Sequence, residues 1–438
     1  MMSCVTSAFD TSIVNISETH QQRVGCEPDA VAIAPETVGI IGDQSDLLGG
    51  TVVAALGQRH VTVAVSRRHD DEVRVTSSKP FFQAATTSTS RMPADLLSVT
   101  PSLKAPQRAG GILPWNGAAP ETTVAETVTL ADFVVGLVTN LIYKQHLPRD
   151  VHGFDVTIIS EIPAGSGLGE HEALVCALLL AMQELYNGEP DVTTRTKLID
   201  VAMLTPLTVV QIPLQRYRIA TILRGFAARA CLVQQAVEAV EPLPDPMMEE
   251  WEMLVINGSL AARDRTVSRK EYQRRADFFQ AAQQAFLLSS LLQLPDANER
   301  IIDWLAAVRE VRGTAGTPLE TEASQWLQLA LSEASRATEF AALTRSRGES
   351  QALALLQQSQ QGIANQWALT GQAPLVDELL SCGVSAVRPA AWGLVDAQVV
   401  WVLRERLPEV VDQLAAYGDV HVVAPGAPGE GRQLRQRN

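Results

Sequence analysis

The segment FDVTIISEIPAGSGLGEHEALVCALLLAMQELYN at residues 154–187 decides the fold, because it joins two regular elements through a glycine-rich turn. Phe154 to Ile162 predicts a strand, and the apolar run from Glu170 to Tyr186 predicts a buried helix. The turn at 163–169 places glycines at alternate positions, which allows another group to approach the backbone closely. Because the turn opens a helix, its N–H groups could bind phosphate.

The turn is not a known nucleotide motif by itself. It lacks the Gly-Lys-Ser/Thr of a Walker loop, and its spacing is not that of a dinucleotide fingerprint. A glycine-rich turn before a helix is more often structural than functional when nothing else accompanies it. The candidate nucleotide-binding residues are Gly165, Ser166, Gly167, Leu168, Gly169, Glu170 and His171.

Composition limits the class of protein. The 438 residues are 46% hydrophobic and 19% charged, which is typical of a globular chain of about two domains. The net charge of −14 disfavours nucleic acid or an anionic membrane as a partner. No apolar run reaches the roughly 18 residues of a membrane span. No secretion signal is visible, so we expect a cytoplasmic protein whose five cysteines are reduced and hold no metal.

The remaining pattern predicts an α+β protein with two domains. We expect a polar segment at 1–30, a first domain at 31–240 containing an irregular excursion at 86–120, and a second domain at 241–438. A helix should begin after Thr129, which resembles a capping box with Asp132. Residues 198–237 are predicted to be mostly helical, and the tail after Pro425 is predicted to be frayed.

Two further segments accompany the turn and carry a family resemblance. APETVGIIGDQSDLLGG at 34–50 resembles the signature APGRVNLIGEHTDYNGG of the galactokinases, and SRKEYQRRADFFQAA at 268–282 resembles their Glu-Tyr-Asn-x-Arg-Arg stretch. The turn resembles Pro-x-Gly-x-Gly-Leu-Ser-Ser-Ser-Ala of the GHMP kinases, the superfamily that includes them. The three segments follow in the family's order and spacing.

The resemblance implies a fold and a reaction. GHMP kinases have an N-terminal domain like that of ribosomal protein S5 and a C-terminal α/β domain. Galactokinases transfer the γ-phosphoryl group of ATP, with Mg²⁺, to the C1 hydroxyl of galactose. Carried over by position, Asp43, Gln44, Asp46 and Tyr272 would bind the sugar, and the turn would bind the nucleotide. Even with the resemblance, Asp43 and Asp46 are equally well explained as turn residues before Gly49 and Gly50.

Several residues depart from the family pattern. Thr37 replaces the signature arginine, and Gly169, Glu170, His171 and Glu172 replace the serines of the turn. The family's catalytic aspartate falls near Arg218, and no acid occurs between Val201 and Val237 to replace it.

The C-terminal glycine motif and the charge of the turn also differ from the family. The motif corresponds to SAVRPAAWGLVDA at 385–397, where Arg388 and Gly393 match the family. Pro389, Trp392 and Asp396 would crowd the loop or change its charge. Phosphoryl transfer needs positive charge around the transferred group, so Glu170 and Glu172 should repel a triphosphate.

Three hypotheses follow from these departures. The first is a galactokinase-like protein with little or no kinase activity that binds a small sugar, a nucleotide or a protein partner. The second is an active sugar kinase with rearranged chemistry, in which Glu170 or Glu172 binds Mg²⁺, Arg218 supplies the lost cation and His171 acts as base. The third is a purely structural or interaction protein with a closed cleft.

Overall fold

The structure is a computed structural model, described here for residues 8–79, 85–89, 129–208, 214–244, 250–258, 269–314, 316–366 and 373–435. The described strands are β1 Ala30–Ile41, β2 Thr51–Arg67, β3 Glu72–Ser77, β4 Ala85–Ser88, β5 Phe154–Ser160, β6 Cys231–Gln234, β7 Ala239–Pro242, β8 Trp251–Gly258, β9 Ala386–Pro389, β10 Ala397–Leu403, β11 Gly418–Val422 and β12 Glu430–Gln433. The described helices are α1 Ala8–Val24, α2 Leu130–Tyr143, α3 Glu170–Asn187, α4 Val192–Thr208, α5 Arg216–Arg224, α6 Arg269–Phe286, α7 Ala297–Arg312, α8 Glu320–Arg345, α9 Glu349–Gln366, α10 Ala373–Ser381 and α11 Leu407–Leu414.

Two sheets organise the chain, as the α+β prediction requires. The larger has the order β12-β1-β2-β5-β3-β4, and β6 joins β2 and β7 beside it. Its pairings are antiparallel except between β3 and β5. The smaller has the antiparallel order β11-β8-β10-β9. Helices pack on both sheets, and the largest buried apolar cluster includes residues of both halves, such as Val53 and Val399.

The segment at 154–187 folds as predicted. Strand β5 is buried along most of its length, and α3 extends to Asn187 with every residue from Glu172 to Leu185 buried. A helix that is apolar on all sides must be enclosed. Here α3 packs against β1, β2 and β12. The capping box is also confirmed, because the Thr129 side chain accepts from the Asp132 N–H and the Asp132 carboxylate accepts from the Thr129 N–H.

Both ends of the chain differ from the prediction. The polar N-terminal segment contains α1, which packs Phe9, Ile13 and Ile16 on the sheet face that carries Val31 and Ala64. The tail after Pro425 was predicted to be frayed, and this is wrong, because β12 pairs with β1. Main-chain hydrogen bonding to an open strand edge stabilises a polar segment that has little apolar surface of its own. The last described residues therefore complete the sheet of the first half.

Two other predictions concern longer stretches of the chain. Most of the described residues of 198–237 are helical, as predicted, and after α5 the chain turns into β6, which extends the sheet at β2. The absence of acids in this stretch therefore does not reflect one long helix. Of the irregular excursion at 86–120, only Thr86 to Thr89 lies within the described residues.

Candidate functional site

The glycine-rich turn lies at the centre of the candidate site. Gly165, Gly167 and Gly169 have φ angles of +75°, +69° and +76°, in the left-handed region that favours glycine. The turn is fastened to β1, because the Leu168 carbonyl accepts from the Thr37 N–H at 2.9 Å. The predicted phosphate cradle therefore exists as a backbone shape, joined directly to the strand that carries Thr37.

Arg218 projects from α5 into the space between the turn and β1. Its guanidinium is buried, and Nη1 donates to the hydroxyl of Thr37 at 2.9 Å and to the carbonyl of Thr37. Nη2 donates to the carbonyl of Gly167 at 2.9 Å, and Nε donates to the side chain of Gln215. The positions aligned with the family's arginine and aspartate are thus in contact here, with a cation on α5 and a hydroxyl on β1.

The two acidic residues after the turn are engaged by protein groups. Glu170 accepts from the hydroxyl of Ser160 and lies 3.8 Å from Lys79 Nζ. Glu172 is buried and accepts from the Gln215 N–H at 3.0 Å. Sequence reasoning placed both charges in the phosphate cradle. In the structure, Glu172 instead binds the backbone just before α5, while His171 lies in the first turn of α3.

The predicted sugar-binding residues occupy a short 3₁₀ helix at Asp43–Leu48. Asp46 accepts from the N–H groups of Arg216 and Tyr217, both at 2.9 Å, and from Gln235 Nε2 at 2.5 Å. Burial raises the pKa of Asp46 to about 6, although these three donors oppose the shift. Both oxygens of this carboxylate are therefore bonded within the protein.

Asp43 and Gln44 belong to a buried ion network. Arg388 Nη2 donates to Asp43 Oδ1 at 2.5 Å and to Gln44 Oε1 at 3.2 Å. Burial raises the pKa of Asp43 to about 6, against the attraction of Arg388. Because Asp43 lies before β2 and Arg388 lies in β9, the pair joins the two sheets of the molecule.

The same network continues into the helices of the second half. Arg388 Nη1 donates to the hydroxyl of Ser359, which donates to Glu333 Oε2 at 2.7 Å. Glu333 is fully buried and also pairs with Arg336 at 2.8 Å. The alignment identified Arg388, but sequence reasoning missed Glu333 and Ser359. A signal for Glu333 exists, because it lies at helical spacing among the buried Ala330, Ala334 and Ala337.

Tyr272 does not present its ring to open space. It is 4% exposed and packs in a small apolar cluster with Leu329 and Ile363. Burial raises its pKa well above the ordinary value. The negative charges of Asp46 and Glu172 raise that pKa further. Tyr272 therefore lies close enough to the predicted sugar-binding residue Asp46 to be affected by its charge.

The C-terminal loop closes over the turn. A Cβ placed on Gly167 would lie 2.7 Å from Ala390 Cβ and 2.8 Å from Val395 Cγ2, so these side chains rest on the Gly167 backbone. Asn257, at the end of β8, donates to the carbonyl of Ala164 at 2.9 Å. Sequence reasoning expected crowding of this loop from Pro389, Trp392 and Asp396, and the side chain of Trp392 lies outside those described. The nearest side-chain contacts on Gly167 come from Ala390 and Val395, which neighbour these residues in the chain.

No group of three or more His, Cys, Asp or Glu side chains is placed to hold a metal ion within the described part of the chain. The same residues include no helix long and apolar enough to cross a membrane. Cys26, Cys176, Cys231 and Cys382 carry free thiols.

Comparison with known proteins agrees with the architecture. The family model described as the GHMP kinases N terminal domain matches residues 132–205. A galactokinase of Streptomyces coelicolor is 27% identical over 171 residues, which are 39% of this chain and 36% of the relative. The matched segment thus spans about a third of that relative's length.

Solved structures match over nearly the whole chain. Lactococcus lactis galactokinase in complex with galactose superposes with a TM-score of 0.69 at 16% identity, covering 95% of this chain and 98% of that one. A putative sugar kinase from Campylobacter jejuni has a TM-score of 0.54 at 10% identity, covering 92% and 98% of the two chains. The chain therefore has the fold of the GHMP kinases, and residues 132–205 match the model of their N-terminal domain.

Proposed function

We propose that this chain is a catalytically silent galactokinase-like protein that works by binding a small molecule or a protein partner. The observation that carries the proposal is the position of Arg218. Its guanidinium bonds both Thr37 and the Gly167 carbonyl, so it fills the gap between the strand and the turn. The resemblance to the galactokinases implies that the catalytic aspartate of the family lies at the position of Arg218.

An arginine cannot do that work. A guanidinium stays protonated in proteins and has no acceptor lone pair, so it cannot take a proton from a hydroxyl. A general base typically contributes about 10²–10⁴-fold to the rate. The carboxylates of the predicted sugar site are already bonded, Asp43 to Arg388 and Asp46 to three N–H donors.

The described residues also do not fit a Mg²⁺·ATP complex. Ala390 and Val395 rest on Gly167, where the phosphates would approach the backbone. The carbonyl of Gly167 accepts from Arg218, so this part of the turn is occupied by a protein group. The arrangement supports a cleft that is closed on its nucleotide side.

The rival hypothesis of a rearranged active kinase loses support at two of its residues. It needs Glu170 or Glu172 to bind Mg²⁺, but Glu172 is buried against the Gln215 N–H. Glu170 is bonded to Ser160 and lies near Lys79, whose positive charge would oppose a cation there. Arg218 could supply positive charge only by leaving its bonds to Thr37 and Gly167.

The test is release of ADP from Mg²⁺·ATP with and without galactose. We expect no galactose-dependent release above a heat-inactivated sample. Galactose-dependent release that disappears in Arg218→Met and persists in Arg404→Met would overturn the proposal, because Arg404 is an exposed arginine far from the turn. Thermal shifts with galactose, ADP and ATP separately then distinguish the two kinds of binding. A shift with galactose alone supports a small-molecule sensor, and no shift with any of the three supports a protein partner.

A further inference from the structure

A buried carboxyl group lies in strand β1, outside the candidate site. Glu36 is fully buried, at the point where the register of β1 against β2 shifts between Pro35 and Thr37. The corresponding position of the galactokinase signature is glycine, so the carboxyl distinguishes this chain from the pattern it resembles. The side chain packs on Gly57 of β2, where an added Cβ would overlap Glu36 Cγ. The carboxyl is therefore enclosed between the two strands.

Arg59 of β2 faces this carboxyl, but its guanidinium is bonded elsewhere. The Arg59 N–H donates to Glu36 Oε1 at 3.4 Å, whereas Arg59 Nη1 lies 3.7 Å from the same oxygen. Nη1 instead donates to the carbonyl of Val422, in β11, at 3.0 Å. Within the described part of the chain, Glu36 Oε2 is buried without a hydrogen-bond partner. The guanidinium thus has two acceptors within reach, one in each sheet.

Further titratable groups lie around the carboxyl and Arg59. Glu161, just after β5, is half-exposed, lies 3.4 Å from His60 Nδ1 and acts on the carboxyl by repulsion. On β11, burial and, to a smaller degree, Arg59 lower the pKa of His421, and Asp419 opposes that shift. Arg59 is therefore the cation that can neutralise the carboxyl once it ionises.

Glu36 changes charge close to neutral pH. Burial raises its pKa from the ordinary 4.5 to about 7, Arg59 opposes this shift, and Glu161 adds to it. Since the folded protein holds this proton more tightly than the unfolded chain does, the stability that the proton contributes is present below pH 4.5 and is lost as pH rises through 7. A buried carboxylate with an unbonded oxygen is costly, so ionisation draws the nearby guanidinium towards it.

We propose that Glu36 and Arg59 form a pH-sensitive switch between the two sheets. When Glu36 is neutral, Arg59 bonds the Val422 carbonyl and ties β2 to β11, which is the arrangement in the structure. When Glu36 is ionised, Arg59 leaves Val422 and pairs with the carboxylate inside the first sheet. The next residue, Thr37, donates its N–H to Leu168 of the turn, so a change at position 36 also reaches the candidate site.

The test is a pH titration of the full chain, followed by NMR through the amide signal of Val423. This amide shares a peptide group with the Val422 carbonyl, so it reports whether Arg59 is bonded there. We expect the signal to shift between pH 5 and pH 8, with a midpoint at about 7. The same titration of His421→Gln removes the contribution of the imidazole on β11 and should keep the shift. The inference is independent of the proposed function, because no ATP or sugar is needed.

Two variants separate the switch from other titrations. Glu36→Gln cannot ionise and Arg59→Met has no guanidinium to move, so the Val423 signal should stay constant in both. The matched control is Glu27→Gln, which removes an exposed carboxylate paired with Arg435. Its Val423 signal should shift as in the original chain.

Chemical denaturation gives a second measurement. Between pH 5 and pH 8, the unfolding equilibrium constant of the original chain should rise about 50-fold more than that of Glu36→Gln. Three results would overturn the proposal: a Val423 signal that does not shift in the original chain, a shift that persists in Arg59→Met, or equal pH dependence of unfolding in Glu36→Gln and the original chain. If Glu36→Gln does not fold, the comparison with Arg59→Met decides.

Discussion

The turn at 163–169 and the wall that faces it keep different parts of the family pattern. The turn keeps its three glycines in left-handed conformations, as a phosphate cradle requires. The facing wall, formed by α5 and the loop after β9, has a guanidinium at the position of the acid and places Ala390 and Val395 on Gly167. One region has the backbone shape of a phosphate cradle, and in the other Arg218 lies where the alignment places the aspartate of the family.

The difference has a structural explanation. The turn connects β5 to α3 and accepts a hydrogen bond from β1, so its shape serves the fold whether or not a phosphate binds. The facing wall is held by bonds between particular side chains, Arg218 with Thr37 and Arg388 with Asp43, and these depend on residue identity rather than on backbone shape. A preserved glycine-rich turn is therefore weak evidence for catalysis, and the facing wall is the better place to look for it.

The largest expected effect follows from breaking the ion network of the wall. Arg388→Met should lower the free energy of unfolding by about 3–5 kcal/mol, because it leaves Asp43 and Glu333 buried without their shared cation. Chemical denaturation measures the loss. The matched control is Arg404→Met, which breaks an exposed pair with Glu252 and should cost about 0–1 kcal/mol. Equal losses in the two variants would mean that the wall is not held by this network.

A smaller effect concerns how the stability of the fold depends on pH through Asp46, whose carboxylate accepts hydrogen bonds from the first residues of α5. Because the pKa of Asp46 is raised to about 6, the folded state binds its proton more tightly than the unfolded state does. This carboxyl therefore makes the protein less stable as pH rises from 4 to 6, with little change above 7. Asp46→Asn should remove about 2 kcal/mol of that dependence between pH 7 and pH 4. Denaturation of both proteins at each pH measures it.

Asp70→Asn provides a control of opposite sign. Arg68 lowers the pKa of Asp70 to about 2, so this carboxylate stabilises the fold at neutral pH and the stabilisation is lost as pH falls towards 2. Contributions from other groups, such as His20, whose burial lowers its pKa to about 4, cancel when each variant is compared with the original chain. If Asp46→Asn left the pH dependence of stability unchanged, the Asp46 carboxyl would be hydrated in the folded protein. The start of α5 would then not be packed over it.

Local patterns in the sequence predicted the parts of the fold that depend on neighbouring residues. The strand, turn and helix at 154–187 follow from alternation, glycine spacing and an apolar run, and the capping box at Thr129 needs only three residues. Strand β12 could not be predicted in this way, because its pairing with β1 joins residues about 400 positions apart and its own sequence is polar.

In the candidate site, too, contacts between residues distant in the sequence could not be predicted. Alignment to the family identified Thr37 and Arg218 as the altered positions, and the structure brings their side chains into contact. It did not show that Glu172 would bind the Gln215 N–H or that Arg388 would bind Asp43, because both depend on how distant segments pack. Charge alone suggested repulsion of a nucleotide at the turn, whereas packing adds a second obstacle, the contact of Ala390 and Val395 with Gly167.

The smallest effect tests that contact directly, by comparing two glycines of one turn. Gly165 and Gly167 have nearly the same φ, so alanine at either position is strained to a similar degree. They differ in space, because the nearest atom to a Cβ on Gly165 is 3.7 Å away, whereas a Cβ on Gly167 would overlap Ala390 and Val395. Gly167→Ala should therefore be less stable than Gly165→Ala by about 1–2 kcal/mol.

Chemical denaturation of the two alanine variants measures the difference, and Val395→Ala sharpens it. Since Val395→Ala removes one of the overlapping methyl groups, it should cost less free energy in the Gly167→Ala background than in the original chain. In the Gly165→Ala background its cost should be unchanged. If Gly165→Ala and Gly167→Ala were equally stable, the loop after β9 would not rest on the turn in solution. The cleft would then be open to a nucleotide, and the proposal of a silent protein would rest on the residue changes alone, at Thr37, at Arg218 and in the turn.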